Sequence, residues 1–295
     1  MAIRPRRSVL YMPGSNARAL EKARALPADA LILDLEDSVA LEAKELARVQ
    51  VVAAVKAGGF GGREVVVRVN GLKTPWGADD LAAAVEAAPD AILIPKVESA
   101  SEIRDIGARL EHLAAQAGTR LWAMIETPLG VIRSVEIAAA RQTAGGERLD
   151  CFVIGTNDLA KETRSRLVQG RQPMLAWLST VVIAARAYGL DVIDGVSNDL
   201  DDAEAFLAEC RQGVELGMDG KTLIHPKQIA AANAVFSPSP DEVAWARRVL
   251  AAFALPENSG KGVIALDGRM VEWLHAEMAG RTVAISEAVE AGVAA

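Results

Sequence analysis

The chain has 295 residues, 51% of them hydrophobic, enough to pack a barrel of roughly 250 residues plus an appendage. Its formal charge of −7 argues against a phosphate-tracking nucleic-acid binder, which needs a basic excess. Its two cysteines, Cys151 and Cys210, form no CxxC or Cys/His spacing, which argues against a soft-metal centre or a disulfide framework and fits a reducing compartment.

The start, Met1 to Arg7, is basic, but the apolar run after it breaks at Pro13-Gly14, too early for an export signal. No uninterrupted apolar segment reaches the roughly 18 residues of a membrane span. The expectation is a soluble cytoplasmic protein. Short apolar runs then recur at 8–11, 30–35, 65–69, 91–95, 121–125, 151–154, 190–193 and 222–224. Each is followed by a stretch with helical spacing, so the pattern is β-α repeated about eight times and predicts a closed (β/α)₈ TIM barrel. Runs such as Ala30-Leu31-Ile32-Leu33 lack a solvent face, as parallel strands covered on both sides do. An open doubly wound sheet is the rival, without a glycine-rich fingerprint after the first strand to favour it. The Gly58–Gly62 cluster separates a helix around 43–57 from the third strand.

The predicted barrel domain covers 1–235. Beyond it, Phe236-Ser237-Pro238-Ser239-Pro240 breaks the rhythm, and 236–295 reads as an appendage. It holds a helix, a short apolar segment, a turn at Asp267-Gly268 and a last helix starting near Met270.

In such a barrel the C-terminal strand ends converge on one mouth. Glu126, just past the fifth run, and Asp158, four residues past the sixth, make a hard oxygen pair suited to Mg²⁺ that keeps waters and binds substrate oxygens. The plainer alternative is that Thr127 and Asp158 cap helices. Strand periodicity puts Val66, Arg68 and Asn70 on one face. A guanidinium there needs an anion: Glu36 or Asp37 from the preceding strand end, a substrate carboxylate, or both. Glu36-Asp37-Ser38 also reads as a strand exit and helix cap. Lys96 reads as a residue reaching solvent and His225 as a packed or hydrogen-bonded one, with His112 and His275 on helical stretches. No GxSxG elbow or Cys/His pairing points to a covalent acyl-enzyme.

Together, Arg7–Gly14, Leu33–Ser38, Val67–Asn70, Pro95–Glu98, Ile125–Gly130, Gly155–Leu159, Gly220–Pro226 and Leu266–Gly268 resemble the citrate lyase β-subunit and malyl-CoA lyase family of CoA-ester lyases, over nearly the whole chain and in order. One departure is Ile154, where many relatives have an aromatic residue. The resemblance implies a (β/α)₈ barrel, Mg²⁺ (or Mn²⁺) on Glu126 and Asp158, and Arg68 on the substrate carboxylate with Glu36 and Asp37 supporting it. It implies a CoA thioester and a small 2-oxo acid as ligands, with Arg7 and Arg18 near the CoA phosphates. It also implies a homotrimer or homohexamer in which the tail offers Asp267 to a neighbour's site as the catalytic acid–base. The expected reaction is cleavage of a malyl-, citramalyl- or citryl-CoA into acetyl-CoA (or propionyl-CoA) and a 2-oxo acid. Rival readings are malyl-CoA hydrolysis, a carrier-dependent citrate lyase β-subunit and, least favoured, a barrel kept only for binding or assembly.

Overall fold

The computed structural model describes residues 3–293. It falls into two compact units, Arg6–Asn233 and the chain from Ala234 onward together with the residues before Arg6. In the first, eight parallel strands close into a barrel: β1 (Ser8–Pro13), β2 (Ala30–Asp34), β3 (Glu64–Arg68), β4 (Ala91–Ile94), β5 (Arg120–Ile125), β6 (Leu149–Ile154), β7 (Asp191–Asp194) and β8 (Gly220–Leu223), with β8 pairing back onto β1. All eight apolar runs are strands. Their ends shift by a residue or two where a polar residue belongs to the strand, as at β8, where the fully buried Lys221 precedes the apolar part of the run.

The barrel interior is filled by alternate residues, including Ile32, Val66, Leu93, Trp122, Met124 and Val153. Period-two geometry extends this inner face to the C-terminal strand ends, so Asp34 follows Ile32 inward, Arg68 follows Val66 and Tyr11 follows Val9. Asn70 does not continue the series as the sequence reading expected. β3 ends at Arg68, and Asn70 turns to accept from Lys44 Nζ at 2.9 Å and to donate to Asp80 at 2.6 Å and to the Leu35 carbonyl at 2.8 Å. The N-terminal end of the barrel is closed by Arg6, which holds Glu64 bidentately at 2.7 and 2.8 Å and reaches Asp150 and Asp191 at 2.7 and 2.8 Å. Its guanidinium lies 4.8 Å above the Trp122 ring centroid, so charge caps the apolar column without an unpaired partner.

At the end of β7, Asp194 accepts from Arg171 at 2.6 and 2.9 Å and from Lys221 of β8 at 3.0 Å, all three residues being buried. Lys221 also donates to the Gly195 carbonyl at 2.7 Å, and Thr222 Oγ1 to the Asp194 carbonyl at 2.8 Å. The loop leaving β7 is thereby pinned backbone group by backbone group. Cys151 and Cys210 are buried free thiols, and burial raises both. Among the described residues no helix is long and apolar enough to cross a membrane.

In the second unit the helix Pro240–Phe253 starts with a capping box, Ser239 and Glu242 bonding each other's backbone N–H, with Pro240 at its first turn. It packs through Ala246 and Val249 on Ile264, Val271, Ala276 and Ala279. β9 (Val263–Leu266) and β10 (Arg269–Glu272) form an antiparallel hairpin. Asp267 and Gly268, at φ +50° and +75°, are its two-residue turn, the pair of left-handed residues a type I′ turn requires. The last helix therefore begins at Trp273, not near Met270, because 269–272 is drawn into pairing with β9.

Candidate active site

β2 and β3 run in register with Asp34 opposite Arg68. Arg68 Nε and Nη2 donate to the two oxygens of Asp34 at 2.6 and 2.7 Å, a buried bidentate pair. Nη1 lies 2.9 Å from Glu36 Oε2 and 3.4 Å from Asp37. The sequence reading named Glu36 and Asp37 as partners and missed Asp34, which takes the fork. The signal was there: Asp34 is two residues past the inward Ile32. Burial alone would raise the Asp34 carboxyl, but the charge and hydrogen bonds of Arg68, with N–H donors from Glu36 and Ser38, bring it below the usual carboxylate range.

Lys96 does not simply reach solvent. Its Nζ donates to Glu36 Oε1 at 2.8 Å, and its backbone N–H donates to Glu126 Oε1 at 2.9 Å from a left-handed conformation at φ +52°. Burial raises Glu36 despite Arg68 and Lys96 beside it. Burial opposes the charge on Lys96, yet the bond to Glu36 lifts it above the ordinary lysine value.

Glu126 lies directly after β5, 1% exposed, and Asp158 lies in the first turn of the helix Thr156–Thr163 that follows β6. Both border one cavity of about 290 Å³ with Tyr11, Asp34, Asp37 and Arg68. A Cβ on Gly155 would sit 2.5 Å from Glu126 Oε2, so glycine there leaves room for the carboxylate. Burial, then repulsion from Glu36 and Asp158, pushes the Glu126 carboxyl up to about 8. A carboxylate so placed calls for a cation. Among the described residues no group of three or more His, Cys, Asp or Glu forms a metal cage. Two carboxylates facing a polar cavity suit Mg²⁺, which fills its remaining positions with water and substrate oxygens, and do not suit a four-ligand Zn²⁺ site.

Tyr11, which the sequence reading did not single out, lines the same cavity. The Arg68 guanidinium lies 4.8 Å over its ring, and its hydroxyl donates to Met124 Sδ at 3.9 Å. Burial raises its phenol far above the ordinary value, so it stays a donor.

The remaining candidates separate. Arg18 is exposed in the first turn of the helix after β1, on the catalytic side of the barrel. Arg7 precedes β1 and holds Asp29 at 2.7 and 2.8 Å, at the opposite end from Arg68, which removes it from a phosphate-binding role at this mouth. Thr127 does cap a helix, its Oγ1 accepting from Gly130 N–H at 3.0 Å. His225 caps Pro226–Gln228 by accepting from Lys227 N–H at 3.1 Å, and His275 accepts from Glu272 N–H at 2.9 Å. Asp267, in the second unit, lies 3.1 Å from Arg248 with both side chains more than half exposed.

Acids and a guanidinium gathered at the C-terminal end of a closed parallel barrel define a (β/α)₈-barrel enzyme. The chain belongs to the HpcH/HpaI aldolase/citrate lyase family, whose sequence pattern matches residues 7–226. It is 49% identical over 287 residues to a (3S)-malyl-CoA thioesterase of Cereibacter sphaeroides strain KD131, covering 97% of this chain and 96% of the relative. It is 38% identical over 275 residues to the citrate lyase subunit beta of Escherichia coli K12, covering 91% and 89%. Among solved structures it is similar to CitE of Mycobacterium tuberculosis in complex with magnesium, acetoacetate and coenzyme A, with a TM-score of 0.73, 31% identity, and 95% and 97% of the two chains covered.

Proposed function

We propose that the chain is a Mg²⁺-dependent enzyme of malyl-CoA-type thioesters, cleaving the carbon–carbon bond of a 3-carboxy-3-hydroxyacyl-CoA into a 2-oxo acid and acetyl-CoA. The observation that carries this is Glu126 and Asp158 facing Arg68 across one cavity of about 290 Å³, a size suited to a short dicarboxylate end. Glu126 and Asp158 would hold the metal, which would supply Lewis-acid polarisation of the substrate's oxygens. Arg68, fixed in place by Asp34 and Glu36, binds the carboxylate. As the hydroxyl proton passes to water, its oxygen becomes the 2-oxo carbonyl and the C–C bond breaks, its electron pair moving onto the thioester. The resulting enolate is protonated at carbon by an acid, here Asp267 of a neighbouring copy, to give acetyl-CoA. Asp267 suits delivery because it stands at the tip of a two-residue turn, in an exposed ion pair of small worth with Arg248. Arg18 is the CoA-phosphate contact in this reading. A homotrimer or homohexamer would supply the neighbour.

A second reading, hydrolysis of the same thioester to malate and free CoA, is favoured by the 49% identity to a malyl-CoA thioesterase. Both readings use the same carboxylate-binding end and differ in whether the C–C or the C–S bond breaks. The deciding experiment is product analysis after incubation with Mg²⁺ and malyl-, citramalyl- and citryl-CoA. A 2-oxo acid with acetyl-CoA marks the lyase, and the hydroxy acid with free thiol marks the hydrolase. No turnover of any of the three would refute both.

A further inference from the structure

Arg68 is the binding group for the substrate carboxylate in the proposed function, yet its side fork is taken by Asp34. Nε and Nη2 both point at Asp34, so the end-on Nη1–Nη2 edge is what remains for a second carboxylate. Nη1 lies 2.9 Å from Glu36 Oε2 as an ion pair without hydrogen-bond geometry, and donates to Asp37 Oδ2 at 3.4 Å and to Met124 Sδ at 3.7 Å. Beside that edge, a second donor shares an acceptor with Nη1. The Tyr11 hydroxyl donates to that same Met124 sulfur at 3.9 Å, and the Arg68 guanidinium lies 4.8 Å over the Tyr11 ring. Two strong donors thus share one weak thioether acceptor on the wall of the catalytic cavity.

We propose that Tyr11 is a substrate-binding residue: its hydroxyl and Arg68 Nη1 form a two-donor clamp on one carboxylate of the 2-oxo or 2-hydroxy acid, whose oxygens take the donors that Met124 Sδ now accepts. The inference rests on the proposed function for its substrate class. It explains why a tyrosine, which must find a hydrogen-bond partner when buried, stands on the inner face of β1 among residues that otherwise pack apolar against one another.

The test is Tyr11→Phe, which keeps the ring under Arg68 and removes only the hydroxyl. Glyoxylate and pyruvate binding are measured by calorimetry in the presence of Mg²⁺, and Mn²⁺ binding by electron paramagnetic resonance. The clamp predicts about tenfold or greater weakening of oxo-acid binding, the scale of a lost hydrogen bond to a charged group, with Mn²⁺ affinity and melting temperature unchanged. Unchanged oxo-acid affinity overturns the clamp. Parallel loss of Mn²⁺ affinity also overturns it, since Tyr11 would then only shape the site. If the unsubstituted protein binds neither oxo acid, the proposed function fails first and the clamp with it. A wild-type protein that binds while the variant binds equally well sinks the clamp alone.

Discussion

Asp34 and Arg68 face each other across adjacent strands and share two hydrogen bonds of 2.6 and 2.7 Å in a site from which water is almost excluded. This pair sets the orientation of the Arg68 guanidinium in the catalytic cavity. Removing one member leaves a buried charge without its partner, so Asp34→Ala should cost about 3–5 kcal/mol of stability as well as oxo-acid affinity. Arg68→Lys keeps the charge but loses the fork, and should lower both in the same direction. Urea unfolding and glyoxylate calorimetry on the two variants measure this. Full stability with full affinity in Asp34→Ala would contradict the pairing.

Metal dependence should be absolute. Exhaustive chelation should abolish turnover, Mg²⁺ or Mn²⁺ should restore it, and Zn²⁺ should serve poorly, because the protein offers two carboxylates and no soft ligand. Glu126→Gln retains shape and the acceptor for the Lys96 N–H while removing a buried charge. It and Asp158→Asn should therefore stay folded and lose Mn²⁺ binding. Residual activity in chelated protein would rule the metal out.

The Asp194 cluster gives the acid limb of stability its sign. Burial would raise this carboxyl, but the charges of Lys221 and Arg171 hold it below the usual range. The unfolded chain, with an ordinary Asp value of about 3.9, then binds more protons in acid than the native state does. The stabilisation is complete above that ordinary value and fades as pH falls through the lower native one. Asp194→Asn should thus be clearly less stable than the wild type at about pH 7, with the gap closing toward about pH 3. A gap that stays constant in denaturant titrations across that range would show that the charge is not the source.

Asp267→Asn preserves size and should spare metal and oxo-acid binding while slowing turnover by about 10²–10⁴-fold. Mixing it with inactive Glu126→Ala should recover some activity if each site draws Asp267 from a neighbouring copy, since mixed oligomers contain sites with both residues intact. Subunit exchange must be verified independently. Verified mixed oligomers as inactive as either parent would exclude sharing.

The barrel was legible from the sequence because a strand buried on both faces must be apolar along its length, and eight such runs with helical spacing between them leave few other architectures. Glu126, Asp158 and Arg68 were legible as candidates because charge at the end of an apolar run is costly unless it is used or paired. The sequence could not say which anion Arg68 takes. Asp34 lies inside the run and looked like strand, whereas Glu36 and Asp37 lie past it and looked like site. Strand register, which comes only from closing the sheet, put Asp34 opposite the guanidinium. The end at which a residue sits was equally a tertiary matter: Arg7 and Arg18 flank the same strand, and only its direction in the barrel separates Arg7, bound to Asp29, from Arg18 on the catalytic side. Tyr11 shows the same limit. Local pattern reports which face a side chain takes, but the shared Met124 acceptor joins strands more than a hundred residues apart, and only packing brings them together.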